Sequence, residues 1–389
     1  VAEEPADDKP TLTGLARRLG QLPADKKRAA LEVSAALAGI SLRVSREFVE
    51  TVPKAAKILS ADDLRNWGEL GRRLAMGSAD SGVKFFEAGV SGLKSVPEAS
   101  RSTVFQICIR QLVLSSSIAL GSYRLIPKIA ARIKAEYFLG RVLALALEIA
   151  HRSAKHSAEF LESTPVVARA ISRFGEDRRQ VAESILDLVA EFATRTGGMT
   201  ADLWSGLPAS LEKLEADEAV ILMRQSAEFL EFGGSVTLYF VSSGSEVLSS
   251  EASAFEDWCY LSRAIARHGN AVLISFLRAT PRFFAAFAKS RRVPAEDIRR
   301  VLQLTAKIAD TDAESALAAF RSSAGALKKV SIEQFEEWVE TGITDRREDT
   351  AKARRSYFAL ETRASNARLQ TTRLGLPLEG VQSVLRMYV

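Results

Sequence analysis

Large apolar residues recur along this chain in a fixed phase with small and polar ones. A six-residue stretch, usually headed by Phe and closed by Pro, Ser or Gly, is written eight times. The copies are Phe48 to Pro53 (FVETVP), Phe86 to Ser91 (FEAGVS), Ser122 to Pro127 (SYRLIP), Phe160 to Pro165 (FLESTP), Leu203 to Pro208 (LWSGLP), Phe240 to Ser245 (FVSSGS), Phe276 to Pro281 (FLRATP) and Phe320 to Gly325 (FRSSAG). Successive copies begin 38, 36, 38, 43, 37, 36 and 44 residues apart. A second landmark runs in step with the first. Trp67 stands 19 residues before Phe86, Trp258 stands 18 before Phe276, and Val104, Val142, Ile185, Leu222 and Leu302 hold the same place in their own repeats. Trp338 points on to Phe358, an altered ninth copy. Self-similarity at this period is the sequence mark of a helical-repeat array.

The stretch from Ser60 to Val96 shows how one repeat is expected to fold. Ser60 caps a helix whose first turn holds Asp62 and Asp63, where the helix dipole favours negative charge. Leu64, Trp67, Leu70 and Leu74 then form one apolar stripe. Gly77-Ser78 ends that helix, and a second follows through Val83, Phe85 and Phe86. The six-residue stretch reads as a corner, with Pro53, Pro165 and Pro281 opening a third, shorter helix whose first turn does not need the missing N–H. Three helices in about 40 residues are the armadillo or HEAT-type unit. The expected fold class is therefore all-α, a right-handed α-solenoid of about eight to nine such units. Its core should hold Trp67, Phe86, Phe160, Leu222, Trp258, Phe276 and Trp338.

Organisation follows from the same pattern. Residues 1–22 begin acidic and polar and are expected to be loosely ordered. Residues 23–340 carry the repeats. Residues 341–389 include the charge run Asp345 to Arg355 and then an altered repeat. The chain stops at Val389 inside an amphipathic pattern, which predicts that further residues follow in the natural protein.

Composition changes this picture little. The chain has 389 residues, 47% of them hydrophobic and 26% charged, as in ordinary globular proteins. The apolar run Tyr137 to Ala150 carries Arg141 and Glu148 and is too short to span a bilayer. No targeting signal is visible, so a cytoplasmic location is expected, with Cys108 and Cys259 as small buried hydrophobes.

Candidate chemistry is sparse. Three histidines occur, and His151 and His156 are five apart, off the i, i+4 spacing of paired ligands. No zinc-protease, paired CxxC, nucleophile-elbow or phosphate-loop motif is present. Neither catalysis nor a cofactor is expected. A net charge of +5, from 53 basic against 48 acidic residues, does not point to nucleic acid.

The basic residues are nevertheless placed in order. Lys54 and Lys57 follow the first corner, Lys94 the second, Lys128, Arg132 and Lys134 the third, and Arg169 and Arg173 the fourth. Lys213 follows the fifth, Arg282 with Lys289, Arg291 and Arg292 the seventh, and Lys328 and Lys329 the eighth. Only the sixth, with Glu246 and Glu251, breaks the series. In an armadillo-type array the third helices line one groove, so these residues predict an electropositive groove for an acidic segment of a protein partner.

The tail carries a resemblance. Trp338 to Gly342 (WVETG), Ser356 to Ser365 (SYFALETRAS), Leu374 to Val381 (LGLPLEGV) and Leu385 to Tyr388 (LRMY) are similar to the junction in bacterial proteins with a C-terminal von Willebrand factor A domain. The relevant family is that of the nitric oxide reductase activation protein NorD and the Rubisco activation protein CbbO. It implies a helical N-terminal region that helps couple a MoxR-type AAA+ ATPase to a target protein for activation or remodelling. The family's metal loop, Asp-x-Ser-x-Ser, is absent, which would place the metal domain beyond Val389. A free-standing armadillo- or HEAT-like interaction module is the alternative reading. An α-helical enzyme is the third, but no cluster of inward acids or histidines supports it.

Overall fold

A computed structural model describes residues 17, 19–133, 135–288, 293–348, 357, 360 and 364. Among them every regular element is helical, and no strand occurs. The described residues group into two compact units. One lies within Val1–Gly175 together with Val189–Ser205, the other within Glu176–Leu188 together with Gly206–Val389.

The first unit holds α1 (Ala24–Ala38), α2 (Leu42–Ala55), α3 (Ala61–Gly77), α4 (Ala79–Ala88), α5 (Glu98–Gln111), α6 (Ser116–Arg132), α7 (Glu136–Arg152) and α8 (Ala154–Ser172). A short 3-10 turn, Ser91–Ser95, joins α4 to α5. Serines start several of these helices. Ser60 and Asp63 form a reciprocal capping box at α3, and Ser41, Ser115 and Ser153 cap α2, α6 and α8. Each odd helix forms a hairpin with the even helix after it. The odd helices α1, α3, α5 and α7 pack in sequence on one another. On the other side of the hairpins α2 packs on α4 and α6 on α8, so the unit has an odd layer and an even layer.

The second unit repeats the plan. After α9 (Arg178–Thr196) and α10 (Thr200–Leu211), which the unit boundaries cross, come α11 (Ala216–Glu228), α12 (Gly234–Glu251), α13 (Phe255–Ala266), α14 (Asn270–Ala288), α15 (Ala295–Ala309), α16 (Ala313–Ala326) and α17 (Ile332–Glu348). Here α13, α15 and α17 pack in sequence, and so do α12, α14 and α16.

The repeat is thus a two-helix hairpin, which corrects the three-helix expectation. Seven of the eight six-residue stretches do not turn. They lie inside the even helices, and Pro53, Pro127, Pro165, Pro208 and Pro281 are all within helix. A proline inside a helix costs about 3 kcal/mol relative to Ala, and burial on both sides of it outweighs that cost. In α8 the buried residues Phe160, Leu161, Thr164, Val167 and Ile171 keep one continuous stripe across Pro165. Only α4 stops early, at Gly89 with φ of 64°, where the 3-10 turn replaces the second half of the helix.

The cores are aromatic. Phe48, Trp67 and Phe86 meet with ring centroids 4.9 to 5.4 Å apart, and Phe240, Trp258 and Phe276 form a matching chain in the second unit. The head residues of the six-residue stretches therefore pack on neighbouring repeats. Trp67, Phe86, Phe160, Leu222, Trp258 and Phe276 are fully buried as expected, whereas Trp338 is only half-buried.

Candidate functional site

Charge is partly paired in both layers. On the odd helices many cations are neutralised, several by the next odd helix, whereas Lys27, Arg110, Arg178 and Arg224 are exposed and make no ion pair. In the first unit Arg65 of α3 reaches Glu32 of α1 at 3.0 Å, and Arg72 and Arg73 both close on Glu69 at 2.6 Å. In the second unit Arg263 pairs with Glu228, Arg299 with Asp257 at 2.9 Å, Arg300 with Glu336, and Lys307 with Glu340 at 3.8 Å. These partners hold the Glu32 and Glu69 carboxyls below their ordinary range, through hydrogen bonds from Arg65 and Arg72 respectively.

The even helices pair charges mainly in their first halves, as in Arg46–Glu50, Arg43–Asp80 and Lys155–Glu159. Their second halves expose cations without partners. Among the described residues, Lys54, Lys57, Lys94, Arg124, Lys128, Arg132, Arg169, Arg282, Arg321 and Lys328 are exposed and make no ion pair. Most of the groove residues expected from sequence are in this set. They reach it from the C-terminal halves of second helices and the turns after them, since the third helices do not exist.

Three of them share a cleft in the first unit. Lys54 and Lys57 at the end of α2 and Lys94 in the 3-10 turn line a volume of about 440 Å³, with Trp67 at its wall and Glu87 at its edge. On α6, Lys128 and Arg132 continue a stripe begun by Arg124, at i, i+4 and i+8. That helix contains no acidic residue. Arg169 lies on α8, and Arg173 follows it with its guanidinium 4.8 Å from the Phe174 ring centre.

The second unit has the larger cleft, about 780 Å³, between α14 and α16. Arg282 and Lys328 line it, joined by two residues the sequence reading missed, Arg278 and Arg321. No carboxylate is among its described lining residues. Arg278 is fixed from outside, stacked 4.6 Å from the Tyr239 ring centre and donating to the Tyr239 hydroxyl.

Two expected residues do not fit the free surface. Lys213 is spent on Glu246, one of the two acids of the sixth repeat. Lys329 is half-buried. Lys134, Lys289, Arg291 and Arg292 lie outside the described residues, as does most of the tail resemblance.

Other chemistry is thin. Among the described residues no three His, Cys, Asp or Glu side chains converge as a metal site requires. No described helix is long and apolar enough to cross a membrane. The free thiols are buried, and burial pushes Cys259 up to about 12 and Cys108 in the same direction, away from nucleophilic use. Asp297 is raised by burial and by neighbouring Glu333 and Glu296, and Glu47 by burial and by Glu50 and Glu87, but neither faces a matched acid or base. No protein-family model matches this sequence, and comparison with curated proteins finds no match.

Proposed function

We propose that this chain is a non-catalytic binding scaffold whose even-helix layer takes an acidic segment of a protein partner. One observation carries the reading: exposed, unpaired cations from the even helices and the turns after them line two clefts, and Glu87 is the one carboxylate among the described lining residues of both. Exposed unpaired charge of one sign contributes little to a fold and much to the capture of an oppositely charged partner. The hairpins are read as units of a right-handed α-solenoid, with small-angle scattering as the check on that arrangement.

The tail resemblance supplies the partner. In this reading the scaffold is the helical part of a cytoplasmic adaptor that couples a MoxR-type AAA+ ATPase to its target. The reduced, buried state of Cys108 and Cys259 suits that compartment. Affinity capture from the source cell tests it. A MoxR-type ATPase should be recovered with the wild-type chain and lost when Lys128, Arg132 and Arg169 are together reversed to Glu. Capture of other proteins without an ATPase would favour the free-standing module, and capture unaffected by the reversal would remove the cationic layer from the account.

A further inference from the structure

We propose that the cleft between α14 and α16 is a carboxylate-reading pocket, in which Arg278, Arg282, Arg321 and Lys328 hold the acidic side chains of an extended protein segment. This rests on the scaffold reading and narrows it to one site and one ligand chemistry.

Three features single out this cleft. Arg278 and Arg282 are i, i+4 on one face of α14, and Arg321 on α16 and Lys328 in the turn after it line the same cleft. The four cations thus line one cleft with no carboxylate among its described lining residues, an arrangement whose self-repulsion an anionic guest would relieve. The two walls are also joined. Phe283 of α14 stacks on Phe320 of α16 at 4.2 Å, and Arg278 is already fixed on Tyr239. Arg278 then has little side-chain freedom left to lose on binding.

Arginine decides the ligand class. Its planar fork matches a carboxylate with two parallel hydrogen bonds, which a lysine cannot offer. Phosphate shares that match, so the surroundings must separate peptide from nucleic acid. The neighbouring even helix α12 carries Glu246 and Glu251 and no Lys or Arg, so no cationic track leads away from the cleft along that side. Among its described lining residues the one aromatic, Phe283, is buried and offers no stacking platform for a base. A short acidic peptide fits a bounded pocket of this volume better than a strand that needs a continuous charged path.

The test uses the full chain and a fluorescein-labelled decaglutamate peptide, read by anisotropy at low salt. R282E and R321E should each weaken binding about tenfold or more, the effect of losing one charge-assisted contact. R282K and R321K, which keep the charge and lose the fork, should still weaken it measurably. Reversal of Lys54, Lys57 and Lys94 should leave it near wild type. Circular dichroism checks each variant, with R282Q and R321Q replacing any that fails to fold. Decaglutamate binding indifferent to Arg282 and Arg321 overturns the proposal, as does tighter binding of a single-stranded decanucleotide at the same residues. If partner capture is still abolished by reversing Lys128, Arg132 and Arg169, the scaffold reading survives that loss. If decaglutamate binds the cleft as expected but that reversal leaves capture intact, the pocket stands and the wider cationic layer fails.

Discussion

The Ser243 hydroxyl of α12 donates to the backbone oxygen of Leu277 in α14 at 2.7 Å. Leu277 is four residues before Pro281, so its oxygen is the one that the missing proline N–H would have served. A side chain from the neighbouring repeat thus satisfies a buried backbone group that the repeat's own motif leaves open.

This relationship predicts a coupling. Ser243→Ala should destabilise the second unit by about 1–3 kcal/mol, because a buried acceptor loses its donor. Pro281→Ala restores an N–H at position 281, and in that background the same change should cost much less. A double-mutant cycle by urea denaturation checks this, and equal costs in both backgrounds would show that Ser243 does not serve this oxygen.

Two glycines in helix interiors should respond in opposite ways to alanine. A Cβ at Gly71 would lie 2.0 Å from the buried Phe86 ring, which the Phe48 and Trp67 rings hold in place. Gly71→Ala should therefore destabilise by about 1–3 kcal/mol despite the better helix propensity. Gly121 in α6 has nothing within 4 Å of its Cβ position, and Gly121→Ala should stabilise by about 0.5–1 kcal/mol. Thermal melting of the two variants reads both signs.

The thiols predict a pH dependence. Burial holds the Cys259 pKa at about 12, against about 8.5 for a thiol in an unfolded chain. Burial raises Cys108 and the Tyr123 phenol likewise. Above pH ~9 the unfolded chain gives up these protons and the folded one keeps them, so stability is full below that pH and falls as pH rises. The urea midpoint should drop between pH 9 and 11, and Cys108→Ala with Cys259→Ala should flatten that drop. In native protein at pH 8 both thiols should react slowly with a disulfide reagent and quickly once urea is added.

Partner binding should weaken as salt rises, since exposed charges separated by more than about 10 Å are screened at 0.1 M. The effect should fall mainly on the association rate, measured by surface plasmon resonance across a salt series. A rate unchanged by salt would remove electrostatic steering from the scaffold's mechanism.

The sequence showed the repeat and misplaced its corner. Phase alone located Phe160 and Phe276 in the core, because only a helix stripe returns such residues at this spacing. Pro165 and Pro281 read as helix starts because local propensity says so. Burial of Thr164, Val167 and Ile171 on either side of Pro165 is a tertiary effect that overrides it. That error explains the site residues that were missed. Arg124, Arg278 and Arg321 lie inside the six-residue stretches, which local propensity reads as turns. Lys213 failed for another reason: Glu246 is 33 residues away, and nothing local brings the two together.

The layered packing also bears on how the chain is made. From α1 to α8, each helix finds its main packing partners within three helices of itself. Short separations between contacting residues favour fast folding, and synthesis delivers the N-terminal end first. The hairpins α1–α2 and α3–α4 can therefore bury Phe48, Trp67 and Phe86 together while α7 and α8 are still inside the ribosome, so the apolar faces meet one another before they can meet another chain.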